Sequence, residues 1–311
     1  MSPSKPRVSI GLPVYNGEKY LAAALESLLA QDFQDFEIII CDNASTDGTE
    51  SICREYALRD ERIRYHRNPR NLGAAPNFNL AFRLASGEYF KWAAHDDLHA
   101  PEFLSRCVAV LDENPSVVLC HTEVQFIGER GEAVRNRGVL PANIASPVPL
   151  LRFTDLAGLD HWCLDIFGLM RTSALARTPL IAHYVGSDRN TLVRLALMGP
   201  FHRIPEVLFF SRHHRERSVC KLKLNDRAEW FDTRRRGSLS FPSWRLWIEY
   251  IKSVACAQIS PRERVLCHLH LLKWLHTYRK QLKADLKVAM KHLAGQMDGL
   301  LKLALGKRAL N

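Results

Sequence analysis

Acidic side chains stand directly after two apolar segments in the first third of the chain. Asp42 follows the run Phe36–Cys41, and the adjacent pair Asp96 and Asp97 follows the run Glu88–Ala93. A carboxylate is a pure hydrogen-bond acceptor and suits the N–H of a nucleobase or a ribose hydroxyl. Two neighbouring carboxylates repel each other, and a hard divalent cation with diphosphate oxygens as further ligands would relieve that repulsion. These residue types therefore favour a nucleotide and cation site.

Both acidic segments also have a purely structural interpretation. The polar residues Ser45–Asp47, which follow Asp42, are expected to cap the next helix. The pair Asp96 and Asp97 equally fits a polar loop that leads into a helix beginning near Pro101. Local sequence alone leaves both interpretations of the acidic pair open.

The elements that must position these acids alternate between strand and helix patterns from Val8 to Phe126. The strand candidates are Val8–Leu12, Phe36–Cys41, Ile63–His66, Glu88–Ala93 and Val117–Phe126, and the helix candidates are Glu18–Ala30, Thr49–Leu58, Ala75–Ala85 and Pro101–Glu113. This alternation predicts a doubly wound, Rossmann-like and mostly parallel α/β sheet flanked by helices. Such sheets bind ligands at the carboxyl ends of their strands, where Asp42, Asp96 and Asp97 fall.

Two common phosphate-binding loops are excluded by the sequence. After Gly11 the next glycine is Gly17, so the first strand–helix turn lacks the G-x-G-x-x-G pattern of dinucleotide-binding folds. The P-loop pattern G-x-x-x-x-G-K-[ST] does not occur in the chain. A nucleotide would have to be held by a different set of contacts.

The composition is that of a globular protein. Its 311 residues are 47% hydrophobic and 24% charged, which excludes a disordered or collagen-like chain. Eight cysteines without a C-x-x-C pair favour reduced thiols over a disulfide framework or a zinc site. No uncharged apolar run reaches the roughly 18 residues of a membrane span, and the N-terminal segment lacks an apolar signal core. We therefore expect a cytoplasmic protein.

The formal net charge of +10 is concentrated in the last hundred residues. Residues 212–311 carry 22 Lys and Arg against 8 Asp and Glu, whereas residues 1–211 carry 21 against 25. A slightly acidic body with a basic tail is typical of a catalytic or binding domain attached to a segment that seeks an anionic surface.

Three stretches together resemble the family 2 glycosyltransferases, which have the GT-A fold. They are VSIGLPVYNGEKYLAAALESLLAQDFQDFEIIICDNASTDGT, NPRNLGAAPNFNLAF and GEYFKWAAHDDLHAPEFL. The resemblance is close over about residues 7–115 and looser to about residue 215. It implies inverting transfer of a sugar from a nucleotide diphosphate, usually UDP-linked, to an acceptor hydroxyl.

The same resemblance implies a donor site. The residues that would bind the nucleotide are Pro13, Tyr15, Asn16, Asp42, Asn71, Gly73 and Asp96. His95-Asp96-Asp97 occupies the place of the family's D-x-D motif, with Asp96 nearer the ribose and Asp97 as the first ligand of Mn²⁺ or Mg²⁺. An Ala or His stands where many relatives have the leading Asp, so the division of roles between Asp96 and Asp97 stays open.

A basic segment after the strand candidate Ile204–Phe210 matches the family's R-x-H segment, which lies over the donor diphosphate. By this resemblance Arg212 and His213 contact the diphosphate, and His213 also reaches the metal. Cations there would stabilise the charge of the leaving group. A solvated basic loop is the alternative interpretation.

Inversion requires a general base that removes the proton of the acceptor hydroxyl. In the family this base is an Asp at the start of a helix in the acceptor half, and Asp188 fits that position. The alternative is that Asp188 only caps the helix that reaches Met198. Asp160 and Asp165 are weaker candidates for the base.

The chain divides by prediction into a glycosyltransferase domain at 1–215 and a basic helical region at 216–311. In the second part apolar residues recur at helical spacing, at Leu275, Tyr278, Leu282, Leu286, Ala289, Leu293, Met297, Leu300 and Ala304. One interpretation is peripheral contact with an anionic membrane at the inner face of the cell. The other is a helical cap that packs on the catalytic domain or on a partner subunit.

These features together indicate a metal-dependent inverting glycosyltransferase that acts in polysaccharide, O-antigen or capsule assembly. Its partners would be a nucleotide-sugar donor and a glycan or lipid-linked acceptor. Because the D-x-D motif is incomplete, a non-catalytic nucleotide-sugar binding or scaffold protein of the same fold is the alternative. The basic tail lacks a recognition motif for nucleic acid, so nucleic acid is not an expected partner.

Overall fold

A computed structural model describes residues 5–135, 141–159, 161–215, 217, 229–231, 233–235 and 241–290. The strands are β1 (Val8–Val14), β2 (Phe36–Asp42), β3 (Ile63–Arg67), β4 (Tyr89–Trp92), β5 (Leu98–His99), β6 (Leu119–Ile127), β7 (Leu169–Arg171) and β8 (Phe201–Arg212). The α-helices are α1 (Leu21–Leu29), α2 (Thr49–Arg59), α3 (Ala74–Leu84), α4 (Phe103–Glu113), α5 (Pro149–Ala157), α6 (Thr172–Leu175), α7 (Ser187–Met198), α8 (Pro242–Cys256) and α9 (Pro261–Thr277). Within the described residues the strands form one sheet in the order β3-β2-β1-β4-β7-β6-β8-β5.

The N-terminal half of the sheet is parallel. Strands β1 and β2 are buried along all seven of their residues, as expected for parallel strands with helices on both faces. Their register pairs Val8 with Phe36 and Val14 with Asp42, so both strands end at the same edge. The loops that follow β1 and β2 are thereby brought side by side.

The predicted fold class is confirmed, and two short strands add antiparallel pairs to it. Strand β7 runs antiparallel between β4 and β6, and β5 runs antiparallel to β8. The five strands predicted between Val8 and Phe126 are confirmed to within two residues at each end. Strands β5 and β7 were not predicted, and they have only two and three residues.

Strand β8 carries the chain back to the edge where β4 ends. It pairs in parallel with β6 up to Ile127 opposite Arg212. It also pairs with β5, where Leu98 lies opposite Phe210. The register therefore places the end of β8 beside Asp96 and Asp97, which are distant from it in sequence.

Helices α8 and α9 pack on α5 and α7 in a shared apolar core. Tyr250 and Trp274 are buried in the same cluster as Phe153 of α5 and Leu192 of α7. The indole N–H of Trp274 donates to the carbonyl of Ala157 at 2.8 Å. Part of the predicted helical region thus shares its core with earlier residues, and the boundary at residue 215 stays a prediction. None of the helices in the described part of the chain is long and apolar enough to cross a membrane.

We expect Trp274→Ala to lower the free energy of unfolding by about 3–5 kcal/mol, because it empties a large buried site and removes the partner of the Ala157 carbonyl. Leu272→Ala on the same helix is the matched control, since Leu272 is 61% exposed. Its effect should stay within about 0.5 kcal/mol. Urea unfolding measures both. Equal effects of the two substitutions would show that α9 is not anchored through Trp274.

Candidate active site

Hydrogen bonds join the loops that follow β1 and β2. Asn16 has a left-handed backbone, with φ of 53°. Its N–H donates to the hydroxyl of Ser45 at 2.9 Å, and its side-chain oxygen accepts from the N–H of Thr46 at 2.8 Å. Ser45 and Thr46 therefore hold the β1 loop instead of capping α2 as predicted. Only Asp47 of this group accepts from the first turn of α2, from the N–H of Thr49 at 3.1 Å.

The other two predicted nucleotide-binding residues of the β1 loop differ in exposure. Pro13 is buried inside β1, opposite Cys41 of β2. Tyr15 is 43% exposed at the carboxyl edge of the sheet. The exposed ring of Tyr15 is available to a ligand, whereas Pro13 is covered within the strand.

Asp42 lies at the end of β2, as predicted, and its side chain is completely buried. One carboxylate oxygen accepts from the N–H of Ser45 at 2.8 Å. The other accepts from the Tyr65 hydroxyl at 2.9 Å and from the guanidinium of Arg67. The buried charge is thus paired and hydrogen-bonded within the protein, as burial of a carboxylate requires. Contact with a nucleobase, its predicted role, would need Arg67 or Tyr65 to move.

Asn71 and Gly73 are held beside this loop pair by Asn43. The side-chain amide of Asn43 donates to the Asn71 side-chain oxygen at 2.9 Å and to the Gly73 carbonyl at 3.1 Å. The Asn43 oxygen in turn accepts from the N–H of Leu72 at 2.9 Å. Gly73 has φ of 89°, a conformation that favours glycine. The structure therefore brings Asn71 and Gly73 to the same edge as Asp42.

The acidic pair occupies the turn between β4 and β5. His214 Nε2 lies 2.7 Å from a carboxylate oxygen of Asp96. Burial would raise the pKa of Asp96, but this contact with His214 lowers it below the usual value. Asp97 is only 2% exposed and accepts the backbone N–H of Arg212 at 2.8 Å. Burial, together with the charge of Asp96, raises the pKa of Asp97 to about 7.

Arg212 is buried, and its guanidinium binds main-chain carbonyls. It donates to Asp96 at 2.9 Å, to Gly128 at 3.0 Å and to Glu129 at 3.1 Å. These bonds fix the turn that carries the acidic pair and the loop after β6. They identify Arg212 as a positioning residue, and its predicted contact with a diphosphate stays a prediction.

Two residues of this basic segment were not singled out from the sequence. His214 contacts Asp96, and the R-x-H spacing from Arg212 could have indicated it. Arg217 opposes the rise in the pKa of Asp97 and helps to lower that of Asp96, so its charge lies close to both carboxyls. No spacing rule distinguished Arg217 from the other arginines of the segment.

The residues around Asp97 fit a divalent cation whose remaining ligands come from a bound diphosphate. His213 Nε2 is buried and has no hydrogen-bond partner among the described residues. Burial lowers the pKa of His213, which favours the neutral imidazole that metals bind. Within the described residues no three His, Cys, Asp or Glu side chains are grouped to hold a metal by themselves. Oxygens of a diphosphate would have to complete the shell of Mn²⁺ or Mg²⁺.

A lysine is buried behind the acidic pair. The Lys91 amine of β4 lies 2.7 Å from His99 Nε2 of β5 and 4.8 Å from the centre of the Phe103 ring. Burial lowers the pKa of Lys91 to about 7, although the charge of Asp97 opposes this. Burial and the neighbouring lysine also lower the pKa of His99.

The segment after α5 packs against β6 and against the residue that follows β8. The Trp162 ring is 5.7 Å from the ring of His213 and 5.9 Å from that of Phe126, measured between centroids. Asp165 is buried, and one of its carboxylate oxygens lies 2.8 Å from His121 Nε2. Burial would raise the pKa of Asp165, but His121 lowers it. This pairing disfavours Asp165 as a base, and Asp160 lies outside the described residues.

Asp188 lies in the first turn of α7, whose N-cap residue is Gly186, with φ of 86°. The helix has no side-chain cap bond, so the alternative interpretation of Asp188 as the N-cap is wrong. Its carboxylate accepts the N–H of Arg189 at 3.0 Å. The Arg189 guanidinium donates to the carbonyls of Gly158 at 2.9 Å and His161 at 2.7 Å. The start of α7 is therefore fixed to the same segment that carries Trp162.

Comparison with known proteins gives a family and a fold. Residues 9–182 match the family model described as Glycosyl transferase family 2. A Rickettsia felis protein named "Uncharacterized glycosyltransferase" is 30% identical over 236 residues, which cover 70% of this chain and 36% of the relative. The chain spans about a third to a half of the length of the first curated relatives that it matches.

Two solved structures share the fold. S. aureus TarS 1-349 in complex with UDP-GlcNAc aligns with a TM-score of 0.67 and 19% identity, over 94% of this chain and 83% of that one. The mannosyltransferase PcManGT from Pyrobaculum calidifontis, in complex with GDP-Man and Mn²⁺, aligns with a TM-score of 0.56 and 21% identity, over 97% and 81%. At these identities the likeness shows the GT-A fold alone.

The buried Lys91 predicts a pH-dependent difference in stability. Its pKa falls from 10.5 to about 7 on folding, so the unfolded chain binds more protons between these values. The contribution of Lys91 to the free energy of unfolding therefore increases as the pH rises from about 7 to 10.5. Lys91→Met removes this contribution. The free energy of unfolding of the variant, relative to that of the wild type, should therefore decrease from pH 7 to pH 10, by at most about 1.4 kcal/mol per pH unit.

Urea unfolding at four pH values from 7 to 10 measures this difference. Lys273→Met, at an exposed position of α9, is the control and should show no such trend. A difference between Lys91→Met and wild type that stays constant with pH would mean that the Lys91 amine is not desolvated.

Proposed function

The chain belongs to glycosyl transferase family 2, and we propose that it is an inverting glycosyltransferase whose donor site is the turn that carries Asp96 and Asp97. The observation that carries this proposal is the buried acidic pair at the carboxyl end of β4, bordered by His214 and by the charge of Arg217. Burying two carboxylates is costly unless positive charge lies close to them, and even with these partners the pKa of Asp97 stays raised to about 7. A cation bound together with a diphosphate meets that requirement.

In this proposal the nucleotide lies along the loops after β1, β2 and β3. The exposed ring of Tyr15 and the segment of Asn71 and Gly73 would line it, with Asp42 at the base and Asp96 towards the ribose. Hydrogen bonds already hold these loops together, so they need little further ordering when the donor binds.

The diphosphate end of the donor would lie between the acidic pair and the end of β8. Asp97, with Asp96 and His213, would hold Mn²⁺ or Mg²⁺, and the metal would neutralise charge that grows on the departing diphosphate. Arg217 adds a positive charge at the same place. Arg212 acts by fixing the backbone of the turn, because its guanidinium is occupied by carbonyls.

Asp188 would be the general base. It would take the proton of the acceptor hydroxyl as that oxygen bonds to the anomeric carbon and the bond from this carbon to the diphosphate oxygen breaks. Two contacts support its place on the acceptor side. Arg189 ties the start of α7 to His161, and Trp162 of the same segment contacts the proposed metal ligand His213.

The donor is proposed to be UDP-linked, and the fold is shared with TarS, which binds UDP-GlcNAc, and with PcManGT, which binds GDP-Man. The acceptor is proposed to be the hydroxyl of a glycan or of a lipid-linked sugar in polysaccharide, O-antigen or capsule assembly. Trp162 offers an aromatic face of the kind on which sugar rings stack. The cytoplasmic location expected from the sequence stays a prediction.

The Asp188→Asn variant tests the function. With the nucleotide sugar that most raises the melting temperature of the wild type in the presence of Mn²⁺, kcat for transfer should fall by about 10²–10⁴, because the amide cannot accept the proton. Binding of that donor should change less than about threefold, because in this proposal Asp188 acts on the acceptor hydroxyl and not on the nucleotide sugar. Transfer assays and calorimetric titration provide the two measurements.

Asp35→Asn, at an exposed position before β2, is the matched control and should leave both quantities unchanged. Full transfer by Asp188→Asn would remove Asp188 as the base. Donor binding by the wild type without hydrolysis or transfer would instead favour the non-catalytic nucleotide-sugar binding protein.

A further inference from the structure

The outward face of α9 is apolar. Val265, Leu269 and Leu272 are 59%, 54% and 61% exposed. Their spacing of four and three residues places them in one row along the helix. Large aliphatic side chains at this exposure form a patch that the rest of the described chain does not cover.

The opposite face of α9 and of the helix that continues at 279–290 is the one that packs on the protein. Cys267, Leu271, Trp274, Leu282 and Ala289 are buried. Three members of the apolar stripe predicted for this region, Tyr278, Leu282 and Ala289, therefore point inward. Another described member, Leu286, is 45% exposed, so membrane contact through this stripe stays a prediction. The remaining members that lie outside the described residues are Leu293, Met297, Leu300 and Ala304.

The outward row continues into a basic row. Lys280, Lys283 and Lys287 follow Leu269 at close to three, four and five helical turns, and all three are exposed. Apolar and basic side chains thus share one side of the helix pair, over about 30 Å.

The charge of this stretch is almost entirely positive. Residues 261–290 contain seven Lys and Arg but only Glu263 and Asp285 as acids. Glu263 is bonded to Ser260 in the capping box of α9. Asp285 is buried and accepts the N–H of Ser243 at 2.7 Å. Neither acid neutralises the outward lysines.

We propose that this outward face docks on an anionic lipid surface. Exposed aliphatic side chains bury themselves at the boundary between headgroups and acyl chains, while flanking lysines bind anionic headgroups. A second copy of the chain would bring the same lysines against each other and is disfavoured by repulsion. The phosphates of a nucleic acid would pair with the lysines, but they would leave the apolar row of Val265, Leu269 and Leu272 exposed to water.

This inference concerns where the protein works and does not depend on the proposed sugar transfer. If the acceptor is lipid-linked, the same contact would keep the site at the membrane where that acceptor resides. The two proposals fail separately, because the docking face contains none of the residues assigned to the donor or to the base.

The test is sedimentation of the full chain with vesicles of equal parts phosphatidylglycerol and phosphatidylcholine, against vesicles of phosphatidylcholine alone. We expect binding to the anionic vesicles only, and release by high salt. The triple substitution Lys280→Gln, Lys283→Gln and Lys287→Gln should weaken binding by about 100-fold, at about a factor of five for each lysine. Leu269→Ser with Leu272→Ser should weaken it by at least about tenfold.

Charge-preserving Lys280→Arg, Lys283→Arg and Lys287→Arg is the matched control and should retain binding. All variants should keep the wild-type melting temperature and the rate of nucleotide-sugar hydrolysis in solution. Equal binding to neutral vesicles, no binding to either kind, or a dimer in sedimentation that Leu269→Ser with Leu272→Ser dissociates would each overturn the inference. Vesicle binding that persists in Asp188→Asn, while transfer is lost, would leave it intact.

Discussion

Two adjacent carboxylates at the end of a buried strand cannot both be charged without positive charge nearby, and the architecture around β4 meets this constraint. His214 lowers the pKa of Asp96. Burial and the charge of Asp96 raise the pKa of Asp97 to about 7, although the Arg212 N–H and the Ser211 side chain of β8 bond to its carboxylate. The length of β8, from Phe201 to Arg212, places Arg212, His213 and His214 beside this turn. The pKa of Asp97 stays raised despite these partners, so a cationic ligand beside it would stabilise its charged form.

The parallel half of the fold could be predicted because its signals are local. Ile38–Ile40 is apolar on both faces, and the strand–helix alternation repeats from β1 to β6. Strands β5 and β7 were missed because pairs and triplets of residues carry no periodicity, and their pairing depends on β8 and β6 arriving from far along the chain. Pairings between residues this far apart in the chain cannot be predicted from the pattern of a short stretch of sequence.

The site could be predicted as a set of positions but not as a set of contacts. Asp42, Asn71, Gly73, Asp96 and Asp97 lie at the ends of parallel strands, or in the loops after them, at one edge of the sheet. Their partners follow from side-chain directions that spacing does not specify: Arg67 and Tyr65 enclose Asp42, and Arg212 binds carbonyls. The same limit applies to α9, where both faces carry leucines and only packing decides that Leu271 is inside and Leu272 outside.

The most direct test of the account is the affinity of UDP with and without Mn²⁺, measured by calorimetry on wild type and on Asp97→Asn. If Asp97 anchors a cation that bridges to a diphosphate, Mn²⁺ should tighten UDP binding at least about tenfold in the wild type and leave the variant unchanged. Equal tightening in both proteins, or no effect of Mn²⁺ on the wild type, would contradict a cation-assisted donor site at this turn.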